Sequence, residues 1–182
     1  SSKNASVSDE TIYEMVEIIE PEWRVHAIER SSHGTDLVAI LQVRAPQGAS
    51  KAVLKATTAG FVDPVVARSE PRFLNLVGEE TYIPVPTVYG YLDNHPDLPA
   101  PFLFMSYEEG TNFEGKSDEL SQKARKTILR EAGKNLAELH SLGPLPSYGT
   151  VGIENGELAV LDSDKHPQYD DFRDKLLADG LC

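Results

Sequence analysis

The sequence predicts an α+β fold, and three observations carry that reading. Runs with a two-residue apolar period cluster within residues 23–107. A helical segment interrupts them after the third run. A long stretch of helical period then follows an acidic break that ends in glycine. Strands grouped with a packed helix make one α+β lobe, and the long helix opens a second. The expectation is a five-stranded antiparallel sheet plus a helix, joined by a hinge to the start of a helical lobe. The corresponding boundaries are 1–107, with a leading helix; a linker at 108–117; and 118–182.

Each element has its own signal. Ser8 can cap a helix running to about Glu20, with Ile12, Met15, Val16 and Ile19 on one face and Pro21 as its stop. Trp23–Arg30, Thr35–Val43 and Ala52–Thr57 alternate as strands do. Ser31-Ser32-His33-Gly34 and Pro46-Gln47-Gly48 separate them and suit antiparallel hairpins. Asp63-Pro64 can begin a helix that continues to Val77. Pro71 falls inside that span and should kink it or mark its true start. Thr81–Asp93 and Phe102–Tyr107 read as two more strands around the polar loop Asn94–Pro99. The clearest helix runs from Asp118 to Leu142, with Leu120, Ala124, Ile128, Ala132, Leu136 and Leu139 as its stripe. Ser147–Val160 reads as a hairpin about Asn155-Gly156, and Tyr169–Leu177 as the start of another helix.

Composition excludes several functions. The net charge of −12 makes a non-specific nucleic-acid binder a poor fit, since phosphates would be repelled. No apolar run is long enough to span a bilayer as a helix. The single cysteine, Cys182, allows no internal disulfide and no cysteine metal cluster, and it favours a reducing, cytoplasmic setting.

Four segments carry chemistry. In Ala52-Val53-Leu54-Lys55, alternation puts Val53 and Lys55 on one face of a strand. Val53 could cover a flat heterocycle while Lys55 reaches phosphates; a solvent-facing lysine on an edge strand fits the same residues. Glu70 could meet Lys55 from a packed helix, or stand solvated in a first helical turn. Phe102–Ser106 runs directly into Tyr107-Glu108-Glu109-Gly110. Backbone groups at such a join are free to bond the edge of an adenine, with Met105 at the back; an ordinary strand end is the plainer alternative. The turn containing Ser32 and Gly34 offers amides and hydroxyls suited to phosphates.

The order of these segments resembles the aminoglycoside phosphotransferase family, which has the protein-kinase-like fold. The phrase Ile83-Pro84-Val85-Pro86-Thr87-Val88-Tyr89-Gly90 is similar to the family's segment before the hinge strand, and Phe102–Gly110 to its hinge. The helix end Leu136-Ala137-Glu138-Leu139-His140-Ser141-Leu142 is similar as well. The resemblance covers about residues 23–160. It implies that Lys55 contacts the α- and β-phosphates of ATP with Glu70 as its partner. It further implies that Ser31–Thr35, including Ser32 and Gly34, position the nucleotide. Ser106 and Glu108 would face adenine through their backbone, beside Val53 and Met105. The implied activity is transfer of the γ-phosphate to a hydroxyl of a small molecule.

The departures are specific. The family's histidine-x-aspartate loop with its following asparagine, and its metal-binding aspartate, have no match after His140. Leu161-Asp162-Ser163-Asp164-Lys165-His166 holds the wrong order. The expectation is therefore the ATP-binding part of a longer kinase, truncated at Cys182 and inactive alone, with magnesium needed only by the complete enzyme. Apolar surface left bare by missing helices would favour a dimer. A non-catalytic kinase-like module that binds nucleotide or a partner is the chief alternative, and an unrelated α+β interaction domain is another.

Overall fold

The computed structural model describes residues 7–31, 36–58, 64–98, 100–110, 119–143, 149–155 and 157–162. The chain divides into two compact units, Ser1–Leu142 and Gly143–Cys182. In the first, the element order is α1 (Asp9–Ile19), β1 (Arg24–Arg30), β2 (Leu37–Ala45), β3 (Gly48–Ala56), α2 (Pro64–Glu80), β4 (Val88–Leu92), β5 (Phe102–Ser106) and α3 (Gln122–Ser141). The five strands form one antiparallel sheet in the order β1-β2-β3-β5-β4. This is the α+β arrangement the sequence predicts, with one helix inserted after the third strand. β3 sits in the middle, so Lys55 is not on an edge strand.

Strand alternation gives the sheet two unlike faces. Ala52, Leu54 and Ala56 of β3 are fully buried, while Val53 and Lys55 between them are half-buried. Cross-strand register carries the division across the sheet. Ala39 and Phe104 flank Leu54 on the buried face, and Ile40 and Met105 flank Val53 on the other. Helix α1 covers the buried face. Ser8 caps it, its hydroxyl accepting from the Thr11 amide at 3.1 Å. Ile12, Met15 and Val16 then enter the same core as Leu41, Leu54 and Phe104. Trp23, Tyr89 and Phe104 complete that core as three tilted rings, with centroids 4.9–5.6 Å apart.

Gly90 of β4 has a steric role here. A Cβ at this position would stand 2.5 Å from Cγ2 of Ile19. Glycine therefore permits α1 to lie this close to the sheet.

Several boundaries differ from the expectation. β3 begins at Gly48 and pairs Gly48 with Ala45, leaving Pro46-Gln47 as a two-residue turn. Gly48 takes φ 130°, a conformation that excludes most side chains. Of the expected strand 81–93, only Val88–Leu92 joins the sheet. Pro84 and Pro86 lack the donors a ladder needs. Helix α2 extends to Glu80 and passes through Pro71 without ending there. Proline removes one helical donor, so the Ala67 carbonyl loses its usual i+4 partner.

Helix α3 starts at Gln122 rather than Asp118, because the Ser121 hydroxyl caps it by accepting from the Ala124 amide. None of its residues is buried. Leu129 and Leu136, which share its apolar side with Ile128, are largely exposed. Helical period shows that a face is apolar; it does not show that the face is covered.

The second unit contains an antiparallel hairpin, β6 (Thr150–Glu154) with β7 (Glu157–Asp162). Asn155 takes φ 54° at its turn, as an asparagine before glycine readily does. The expected helix at Tyr169–Leu177 lies outside the described residues, as do Ser32 and Gly34. No described helix is long and apolar enough to cross a membrane.

Candidate functional site

The site lies on the half-buried face of the sheet. β3 brings Lys55 to the sheet centre, and its register partner on β5 is Leu103, which is buried. Helix α2 crosses this end of the face. Its Arg72 guanidinium stacks 4.7 Å from the Tyr91 ring of β4. Glu70 of the same helix accepts two hydrogen bonds from Lys55 Nζ, at 2.6 Å to Oε1 and 2.8 Å to Oε2. The Lys55 side chain is 25% exposed and that of Glu70 36%. A pair this wet contributes only about 0–1 kcal/mol, so it aims the ammonium more than it stabilises the fold. Pro71 does not hold Glu70 away.

The sequence reading missed Asp36. Its Oδ2 lies 3.8 Å from Lys55 Nζ, too far for a hydrogen bond but within ion-pair range. Its Oδ1 is buried and has no hydrogen-bond partner among the described residues. The only sequence signal is an acid directly after a turn, two places before Val38, the register partner of Lys55. No spacing rule marks that position.

Val53 and Met105 are direct cross-strand partners on this same face, both half-buried. Ile40, paired with Val53 from β2, extends the apolar strip. The structure thus joins Lys55 to Glu70, and Val53 to Met105, on one face.

Ser106 and Glu108 form a different group. Ser106 pairs with Ala52, so alternation places its side chain with the buried face. Its amide donates to the Thr87 carbonyl at 2.9 Å. Its hydroxyl accepts from the Thr87 amide at 2.9 Å and donates to Glu108 Oε1 at 2.6 Å. These bonds fasten the end of β5 to the segment before β4. Tyr107, one residue further, receives the Lys51 ammonium on its ring at 5.0 Å.

Among the described residues two cavities stand out, and neither is lined by Val53 or Met105. One of about 10 Å³ lies beside Lys55, Glu70 and Pro71, room for roughly one water. The other, about 580 Å³, lies at the end of β5 and includes Gln42, Lys51, Tyr89, Ser106, Tyr107 and Glu109. Tyr89 there has its phenol pKa raised from 10.0, first by burial and then by the Glu108 and Glu20 carboxylates.

A third cluster, Glu14, His95 and Asp97, brings ligand-type atoms within 4.8 Å of one another. Its geometry is that of a clasp. The Asp97 amide donates to His95 Nδ1 at 3.2 Å, which leaves the ring proton on Nε2, 3.5 Å from Glu14 Oε2. His95 thereby ties the β4–β5 loop to α1.

Comparison with known proteins gives the class. The model of the phosphotransferase enzyme family matches residues 39–179. That is well over half of the 182 residues, and the chain belongs to this family. A crystal structure of a proposed aminoglycoside phosphotransferase from Ralstonia eutropha is similar over 57% of this chain, with 14% identity and a TM-score of 0.42. The match spans 29% of that protein's length. No curated protein matches the chain.

Proposed function

We propose that the chain supplies the nucleotide-binding half of a kinase that transfers the γ-phosphate of ATP to a hydroxyl of a small molecule. One observation carries this reading. Lys55, on the central strand, is aimed by the two short bonds it donates to Glu70 and stands beside an apolar strip left half-open by the fold. In this reading the adenine lies on Val53 and Met105. Lys55 takes the α- and β-phosphates. Adenine's edge falls to the backbone of Ser106 and Glu108, Ser106 offering its carbonyl because its amide donates to Thr87.

In the reaction, the acceptor hydroxyl would release its proton to solvent as its oxygen bonds to the γ-phosphorus, the bond to the β-phosphate oxygen breaks, and ADP leaves. Lys55 balances charge on the phosphates that stay with ADP. Magnesium, which such transfer needs, does not fit the acids beside Lys55. Glu70 and Asp36 both face the ammonium, which would repel a second cation.

Titration calorimetry tests the reading with ATP and adenosine against the natural chain and Lys55→Ala. Lys55→Ala should weaken ATP at least several-fold and leave adenosine within two-fold, on the order of one charged contact. Equal losses for both ligands would remove Lys55 from its phosphate role.

A further inference from the structure

Lys55 has more acid around it than a phosphate-binding lysine needs. An ammonium carries three N–H donors, and Glu70 occupies two of them at 2.6 and 2.8 Å. The remaining donor is all that a phosphate oxygen could take without breaking the Glu70 pair. Asp36 competes for the same region, with Oδ2 at 3.8 Å. One ammonium and two carboxylates sum to a local charge of −1.

Among the described residues Asp36 gains little that would stabilise the fold. Its Oδ1 is buried with no donor among the described residues, an arrangement that costs free energy. Its Oδ2 lies beyond hydrogen-bond range of Lys55, so it gains only the through-space attraction. At 21% exposure the Asp36 side chain is screened by solvent less than a surface acid would be. A phosphate arriving at Lys55 therefore meets a nearby carboxylate of its own sign.

We propose that Asp36 is a specificity-determining residue of this site, a built-in carboxylate that competes with ligand phosphate for Lys55. The proposal rests on the nucleotide reading given above. Asp36 lowers the affinity for ATP and ADP and leaves the nucleoside part untouched. Tight binding then demands the full set of base and phosphate contacts, and isolated phosphate groups are turned away. Asp36 stands beside the ammonium that an incoming phosphate must reach. When phosphate binds, Lys55 exchanges its distant carboxylate for a direct contact.

The test titrates ATP, ADP and adenosine by calorimetry into the natural chain, Asp36→Asn and Lys55→Ala. Asparagine keeps the shape and removes the charge. Asp36→Asn should tighten ATP and ADP about five-fold and leave adenosine unchanged, as expected for one partly screened charge removed from a phosphate site. Circular dichroism melts confirm folding, and Asp36→Ala serves if asparagine is not tolerated. ATP binding that is unchanged or weaker in the Asp36 variant overturns the proposal, as does an equal gain for adenosine. If Lys55→Ala weakens ATP while the Asp36 variant matches the natural chain, only the role of Asp36 fails. If Lys55→Ala binds ATP as the natural chain does, or if no protein binds ATP, the nucleotide reading fails and takes this proposal with it.

Discussion

The two faces of the five-stranded sheet are built by alternate residues of the same strands, yet they do different work. On one, Leu41, Leu54 and Phe104 are wholly buried beneath α1. On the other, Val53 and Met105 remain half-open next to an aimed ammonium. Apolar surface contributes about 25 cal/mol per Å² when it leaves water, so a face left partly open forgoes that stabilisation. The covered face holds the fold together. The open one, relieved of that duty, keeps apolar surface and charge available for a ligand.

Neighbouring residues of β3 give the sharpest way to break this comparison. Leu54→Ala should cost about 2–5 kcal/mol, because it removes fully buried methyls and leaves a cavity under α1. Val53→Ala should cost only about 1 kcal/mol, since part of that surface is already wet. Urea unfolding of both variants measures the difference, and equal losses would mean that the second face is also core.

A smaller effect is expected where α1 meets the sheet. Gly90→Ala places a methyl against Ile19 and should cost about 1–3 kcal/mol as helix and strand move apart. A variant as stable as the natural chain would show that α1 is not held this close.

The smallest effect concerns pH. Burial, followed by the Glu108 and Glu20 carboxylates, raises the Tyr89 phenol above its usual 10.0, so the unfolded chain loses that proton first. The associated stability is whole below about pH 10 and falls as pH rises through the folded-state pKa. Thermal melts from about pH 9 to 11 should therefore decline less steeply in Tyr89→Phe than in the natural chain. Identical slopes would deny Tyr89 its raised pKa.

Much of this lobe was legible in the sequence, for identifiable reasons. Alternation in Ala52–Ala56 fixes which residues share a face, so Val53 and Lys55 fell together correctly. The fifteen-residue interval to Glu70 crosses a helix whose start at Asp63-Pro64 is well marked, and the pair formed despite Pro71. Asp36 was not legible, because its nearness to Lys55 arises from β2–β3 register and not from any local pattern. The bonding of Ser106 to Thr87 was hidden in the same way: it joins residues nineteen apart through a cross-strand contact. The length of the strand before β5 was overestimated because alternation in Thr81–Thr87 outweighed the missing donors of Pro84 and Pro86. Coverage of α3 was beyond reach, since amphipathic period carries no information about a partner.

The chain's two methionines report on the two faces separately. Met15 is fully buried on the core side of α1, and Met105 lies on the open strip beside Val53. Methionine methyls labelled with carbon-13 should give two resolved signals. On titration with adenosine or ATP, the Met105 signal should shift and saturate while that of Met15 stays in place. A Met105 signal unmoved at saturating ATP, or a shift confined to Met15, would contradict the claim that nucleotide binds the open face.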